Sequence, residues 1–174
     1  GEKAGIIKSR LPVVSAMQAR VCGDVIAARA NELHAPLTSL RIEDIERVPE
    51  RVALPGTHHR YNAALAGLAM RTLNHPTIND AAIWRGAQSA VWPARMQKLE
   101  EGPLTALVGD AELWLDGGHN PHAATAIAEL LREMGGTTVM VSAMIASKDH
   151  GGFFHAFKGV VDTVHTIPNA PGHA

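Results

Sequence analysis

The strongest constraint on this chain is how its apolar period changes between residues 104 and 167. Leu104 to Val108 and Glu112 to Leu115 read as strands. Pro121 then sits where a helix would begin, and Ala124, Ile127 or Ala128, and Leu131 follow at helical spacing. Gly135-Gly136 ends that helix with residues tolerant of positive φ. Thr137 to Val141 reads as a strand, Phe153 to Phe157 as a short helix and Thr163 to Ile167 as a further strand. Strands separated by helices call for crossover connections, and crossovers join parallel strands. The second half is therefore expected to be α/β and Rossmann-like.

The first half carries mixed signals. Ile6-Ile7 and Leu11 to Val14 read as short strand pieces. Met17, Val21, Val25 and Ala28 recur at helical spacing, and Pro36 closes that segment. Leu40 and Ile42 alternate with Arg41 and Glu43 as in a half-buried strand. After a turn at Leu54-Pro55-Gly56, the residues Tyr61, Leu65, Leu68 and Thr72 mark one face of an Ala-rich, closely packable helix. Asn79 is an N-cap for a third helix carrying Ile83, Ala87 and Val91, and Trp92-Pro93 ends it. A domain boundary is expected near residues 93–96.

The 174 residues suffice for one domain and part of another, and an apolar content of 46% is enough to build a core. A net charge of -1 without blocks of like charge argues against nucleic-acid and membrane-surface partners. No apolar run approaches the ~20 residues of a membrane span. Cys22 is the sole cysteine, which excludes an internal disulfide and suits a reducing, cytoplasmic setting. Ten histidines are present, but none forms a zinc-protease motif, and no zinc site is expected.

The most informative segment is Leu115-Asp116-Gly117-Gly118-His119-Asn120-Pro121-His122-Ala123-Ala124. Asp116 would stand at the carboxyl end of a strand, two glycines would permit a sharp turn, and His119 and Asn120 would open the next helix. Open α/β sheets bind ligands at that edge, where free N–H groups and the helix dipole favour an anion. Spacing alone leaves a second reading open, a plain N-capping loop with exposed polar residues.

This segment resembles the Leu-Asp-Gly-Ala-His-Asn-Pro-His-Ala-Ala signature of bifunctional folylpolyglutamate synthase/dihydrofolate synthase, a relative of the Mur ligases. Four other segments are similar to that family's motifs in the same order. They are Glu2 to Lys8, Leu54 to Ala64, Trp92-Pro93-Ala94-Arg95-Met96-Gln97, and Ala143 to Asp149. The resemblance implies residues 1–93 as the C-terminal part of a central ATPase domain and 94–174 as an incomplete Rossmann-like ligase domain. It also implies the chemistry. ATP phosphorylates a pteroate or folate carboxylate, and the amine of L-glutamate then displaces phosphate. The acceptor would be dihydropteroate, a reduced folate of the tetrahydrofolate type, or both, and the parent enzyme would be monomeric and dependent on Mg2+.

Carried over residue by residue, Lys3 matches a lysine that is carbamylated and helps hold magnesium. Arg95 matches an arginine that reaches ATP phosphates, for which a planar fork of donors is suited. Asp116 and His119 match a pair that contacts nucleotide, and Asn62 matches a residue near it. Lys148 and Asp149 would approach glutamate or phosphate. The chain departs from the family at Ala94, which replaces a glycine, and at His59, which replaces a glutamine. It departs again around Ser142 and Ala143. No Gly-rich phosphate loop occurs in it, so the resemblance implies a fragment inactive by itself. Two other readings are a non-catalytic nucleotide-binding module and a Mur-type ligase of another acceptor.

Overall fold

The computed structural model of the chain describes residues 2–168. Its contacts divide it into two compact units, Gly1–Ala53 with His58–Ala90, and Leu54–Thr57 with Val91–Ala174. Residue 1 and residues 169–174, the outer ends of the two expected domains, lie outside the described residues.

In the first unit, strand β1 (Val13–Ser15), helix α1 (Arg20–Glu32) and strand β2 (Leu37–Ser39) form a crossover. The two strands pair in parallel, with Val13 opposite Leu37 and Ser15 opposite Ser39. Successive strand residues point to opposite faces. Val13 accordingly packs against Ala4, Ile7, Ala30 and Ala35, while Val14 packs against Leu40, Val48, Ala64 and Leu68. A strand with apolar cover on both faces is the arrangement of an α/β sheet.

The second of these faces belongs to α3 (Thr57–Leu73) and α4 (Asp80–Ser89), which follow the short helix α2 (Ile42–Glu46). Asn79 caps α4 as the sequence indicates, its side chain accepting from Ala82 N–H at 2.9 Å. Close packing depends on Gly67, where a Cβ would lie 3.0 Å from Cη2 of Trp84.

Three expectations for this half change. Ile6-Ile7 is not a strand: Glu2–Ile6 forms a 3-10 turn, and Ile7 enters the core from its end. Leu40 to Glu43 does not continue β2, because Asp44 accepts from Arg41 N–H at 3.0 Å and starts α2 instead. The face of α1 also differs. Ile26, Ala30 and Leu33 turn inward, whereas Val21 and Val25 are 77% and 43% exposed.

The second unit contains β3 (Gln97–Lys98), β4 (Trp114–Leu115), α5 (Pro121–Met134), β5 (Val139–Ser142), α6 (His150–His155) and β6 (Thr163–Thr166). The pair β5–β6 is parallel, with Val139 opposite Thr163 and Ser142 opposite Thr166, and α6 forms its crossover. Ala124 and Ala128 of α5 meet Phe153 and Phe157, with Met140 of β5 packed beneath them. Gly135 and Gly136 adopt φ of 67° and 85° after α5, the turn expected of them.

Leu104 to Val108 is a 3-10 turn over Thr105–Leu107 rather than a strand. The Thr105 hydroxyl is the reason: it accepts from Gly102 N–H at 2.8 Å and locks the backbone behind Pro103. β4 pairs antiparallel with β3 instead of extending a parallel ladder. Among the described residues the ladders form three two-stranded sheets.

Candidate functional site

A tight bend and a turn meet in the second unit. The bend is Ala94-Arg95-Met96-Gln97, and the turn is Asp116-Gly117-Gly118-His119-Asn120 at the start of α5. Both Asp116 oxygens accept from the backbone, Oδ2 from Met96 N–H at 2.8 Å and Oδ1 from Gly118 N–H at 2.6 Å. Gly117 N–H donates to the Ala94 carbonyl at 3.0 Å. That carbonyl also accepts from Arg95 Nη1 at 2.9 Å. The Arg95 guanidinium is half-buried and lies 5.9 Å from the Trp92 ring centroid.

At the glycines of the turn an added Cβ would press on the side chains packed over it. A Cβ on Gly117 would sit 2.9 Å from Arg95 Nη1. One on Gly118 would sit 2.7 Å from Cδ1 of Ile127 and 2.9 Å from Asp116 Oδ1. His119 is exposed, and its Nδ1 lies 2.9 Å from the Gly117 carbonyl. A carbonyl only accepts, so Nδ1 carries the hydrogen of that contact. Asn120 caps α5 by accepting from Ala123 N–H at 2.9 Å. A guanidinium, glycine backbone and a 14-residue helix N-terminus beside one another suit an anionic group.

Lys148 is half-buried in a turn leading into α6, its N–H donating to the Ile145 carbonyl at 3.1 Å. Asp149 caps α6 by accepting from Gly152 N–H at 2.9 Å. A Cβ on Gly152 would fall 2.8 Å from Cγ of Pro121, so this turn abuts the first residue of α5. The structure thus gathers Arg95, Asp116 and His119 through shared backbone contacts and places the Lys148 turn beside the same helix end.

Lys3 and Asn62 belong to the first unit. Lys3 is exposed on the 3-10 turn and Asn62 is exposed on α3. Next to Asn62, the Tyr61 hydroxyl accepts from Met17 N–H at 2.7 Å and ties the loop after β1 to α3. Arg60 donates to the carbonyls of Pro49, Glu50 and Val48 at 2.6, 2.9 and 3.1 Å. Sequence reasoning missed both anchors, because a backbone partner leaves no signature in residue types.

Among the described residues no group of three or more His, Cys, Asp or Glu converges as a metal-binding set. An open depression of about 380 Å3 lies over the β3–β4 connection, lined by Lys98, Glu101, Thr105 and Glu112. None of the expected site residues lines it.

Comparison with known proteins decides what the turn belongs to. The chain is 30% identical to a Bacillus subtilis dihydrofolate synthase/folylpolyglutamate synthase over 193 residues, covering 98% of the chain and 42% of that enzyme. It is 28% identical to the Escherichia coli dihydrofolate synthase/folylpolyglutamate synthase, covering 96% of the chain and 40% of the relative. The chain is homologous to folylpolyglutamate and dihydrofolate synthases.

Solved synthases share the fold. A Mycobacterium tuberculosis folylpolyglutamate synthase complexed with ADP superposes with a TM-score of 0.80 at 21% identity, over 99% of the chain and 43% of that structure. E. coli FolC in complex with DHPP and ADP gives 0.72 at 28% identity, over 94% and 40%. The chain spans about two fifths of the length of the synthases it matches, and the matched region is their C-terminal part. No protein-family model matches the chain.

Proposed function

We propose that this chain is the C-terminal portion of an ATP-dependent ligase that adds L-glutamate to dihydropteroate, reduced folates or both. One observation carries the reading. The segment that resembles the family signature folds into a glycine turn at a helix N-terminus with Arg95 held against it. In this reading residues 1–93 end the ATPase domain and 94–174 form the ligase domain. A carboxylate is a poor acylating agent, and phosphoryl transfer from ATP gives it a leaving group that the glutamate amine displaces. Such chemistry depends on positioning and charge neutralisation.

Arg95 and His119 face the nucleotide phosphates, with Asp116 framing their turn; Asn62 on α3 keeps its own reading as a residue near nucleotide. Lys148 lies toward the glutamate or the transferred phosphoryl group. Lys3, carbamylated, supplies one ligand to Mg2+, whose charge offsets that of the phosphates when bound. The ADP-bound relatives support the nucleotide assignment, and DHPP in the E. coli complex supports a pterin acceptor. No helix among the described residues is long and apolar enough to cross a membrane. An exposed free Cys22 fits a reducing cytoplasm. The enzyme is taken as a monomer.

The test is glutamate-dependent ADP release by protein expressed from the complete reading frame, with dihydropteroate and tetrahydrofolate as acceptors. Turnover should fall about 100-fold or more in Arg95→Ala, the scale of losing a charge-stabilising donor. A folded protein without turnover on either acceptor would instead be a nucleotide-binding module. Turnover confined to muramyl-peptide acceptors would make it a different ligase.

A further inference from the structure

Two backbone positions in the bend are unusual. Ala94 and Met96 both adopt left-handed conformations, with φ of 54° and 42°, on either side of Arg95. Residues with a Cβ rarely occupy that region, and a neighbouring pair relaxes unless the surroundings hold it. Three contacts hold it here. Ala94 N–H donates to Gln97 Oε1 at 3.0 Å, Met96 N–H donates to Asp116 Oδ2 at 2.8 Å, and Gly117 N–H donates to the Ala94 carbonyl at 3.0 Å. Met96 itself is buried, which fixes the far side of the bend.

We infer that Gln97 and Asp116 are positioning residues for Arg95, clamping a strained bend so that its guanidinium is presented at the turn before α5. The inference rests on the reading of Arg95 as the phosphate-facing cation. Gln97 acts through its amide oxygen, which satisfies the Ala94 N–H inside the bend. Asp116 spans bend and turn, one oxygen on each, and so fixes Arg95 relative to the Gly117–Gly118 backbone. Each of its oxygens accepts from one N–H group of its own chain, and through these bonds it sets the geometry of Arg95. Gly117 completes the device, because its missing Cβ is the space that Arg95 Nη1 occupies.

Trypsin cleaves after arginine, so the Arg95–Met96 bond reports on the clamp without any ligase activity. Protein from the complete reading frame would be cleaved under native conditions, with cleavage after Arg132 in α5 as the internal reference. Gln97→Ala and Asp116→Ala should each raise the rate after Arg95 about five- to tenfold, the scale of one lost hydrogen bond, and leave the reference unchanged. The same variants should lower kcat/KM for ATP. Gln97→Glu, which keeps an acceptor oxygen for Ala94 N–H, should restore both readings.

In an Arg95→Ala background, Gln97→Ala should cost no further turnover. Unchanged cleavage after Arg95 in both alanine variants would overturn the clamp. So would an undiminished effect of Gln97→Ala on turnover once Arg95 is gone. Should Arg95→Ala leave turnover intact, the phosphate-facing role falls, while the proteolysis still judges the bend separately.

Discussion

Helices α1 and α5 each lead away from a strand, yet only α5 shows its buried face in the sequence. In α5 the main apolar stripe is read directly, although Leu130 is buried off it. Ala124 and Ala128 are sealed against Phe153 and Phe157, with Ile127 and Leu131 at the edges. Asn120 and Pro121 fix where the helix starts. In α1 two stripes compete. Val21 and Val25 form one and remain exposed, while Ile26, Ala30 and Leu33 form the other and face the core. No side chain caps its start at Ala19. Apolar spacing identifies a helix in both cases but identifies its inner face only where the stripe is unique.

The comparison is most exposed to failure at Phe153, the centre of the α5–α6 core. Phe153→Ala should destabilise the second unit by about 3–5 kcal/mol, the range for emptying a buried aromatic site. Urea denaturation of the protein would show it as a large drop in midpoint. A loss below about 1 kcal/mol would mean that this core is not close-packed and that the two helices do not differ as described.

Next in size is a test of α1 itself. Ala30 is 2% exposed, so Ala30→Leu forces extra carbons against Ile7 and Ala35 and should cost about 1–3 kcal/mol. Val21→Gln on the outer stripe should stay within about 0.5 kcal/mol of the parent. Equal effects of the two would reverse the assignment of the inner face.

The same distinction explains how far the sequence could be read. The helices over residues 80–89 and 121–134 were legible from their Asn caps and the one over 57–73 from its apolar spacing, although the second of the three stops at Ser89, short of the expected Val91. The parallel pair β5–β6 followed from β-branched runs separated by a helix. Two of the failures share a cause, which is that a local hydrogen bond outcompeted an apolar pattern. Asp44 ended β2 early, and the Thr105 hydroxyl turned Leu104 to Val108 into a 3-10 turn. The helix-start segment around Asp116 was legible as a possible site from its glycines. Its link to the bend at Ala94 was not, since a side chain reaching backbone N–H groups twenty residues away carries no pattern.

Ala94→Gly addresses that bend, where the local cost lies in the backbone and not in packing. A left-handed residue with a Cβ costs about 1–2 kcal/mol, and glycine returns about 0.5–1 kcal/mol of that through its freer unfolded chain. The substitution should therefore stabilise the second unit by roughly 0.5–1 kcal/mol. This sharpens the contrast with the cores, where nearly every change is expected to destabilise. Thermal unfolding should show a midpoint raised by a few degrees. A lowered midpoint would show that the Ala94 methyl has a packing role that offsets its backbone cost.

The smallest effect belongs to exposed charge. The Glu112 carboxyl is held below its usual range, first by a hydrogen bond from Lys98 and then by one from the Trp114 indole at 3.2 Å. In the other unit Asp80 is lowered in the same sense, first by its bond from Arg71 at 2.8 Å. A carboxylate whose folded value is depressed adds stability above its unfolded value and loses it as pH falls through the folded one. Glu112→Gln removes the charged form at every pH. Its urea midpoint should lie slightly below the parent's at neutral pH and converge with it on acidification below the ordinary carboxylate range. Added salt should narrow the neutral-pH gap, because both partners are open to solvent. A gap that persists unchanged into acid would trace the effect to packing around Trp114 and would remove the distinction between this surface contact and the buried stripe of α5.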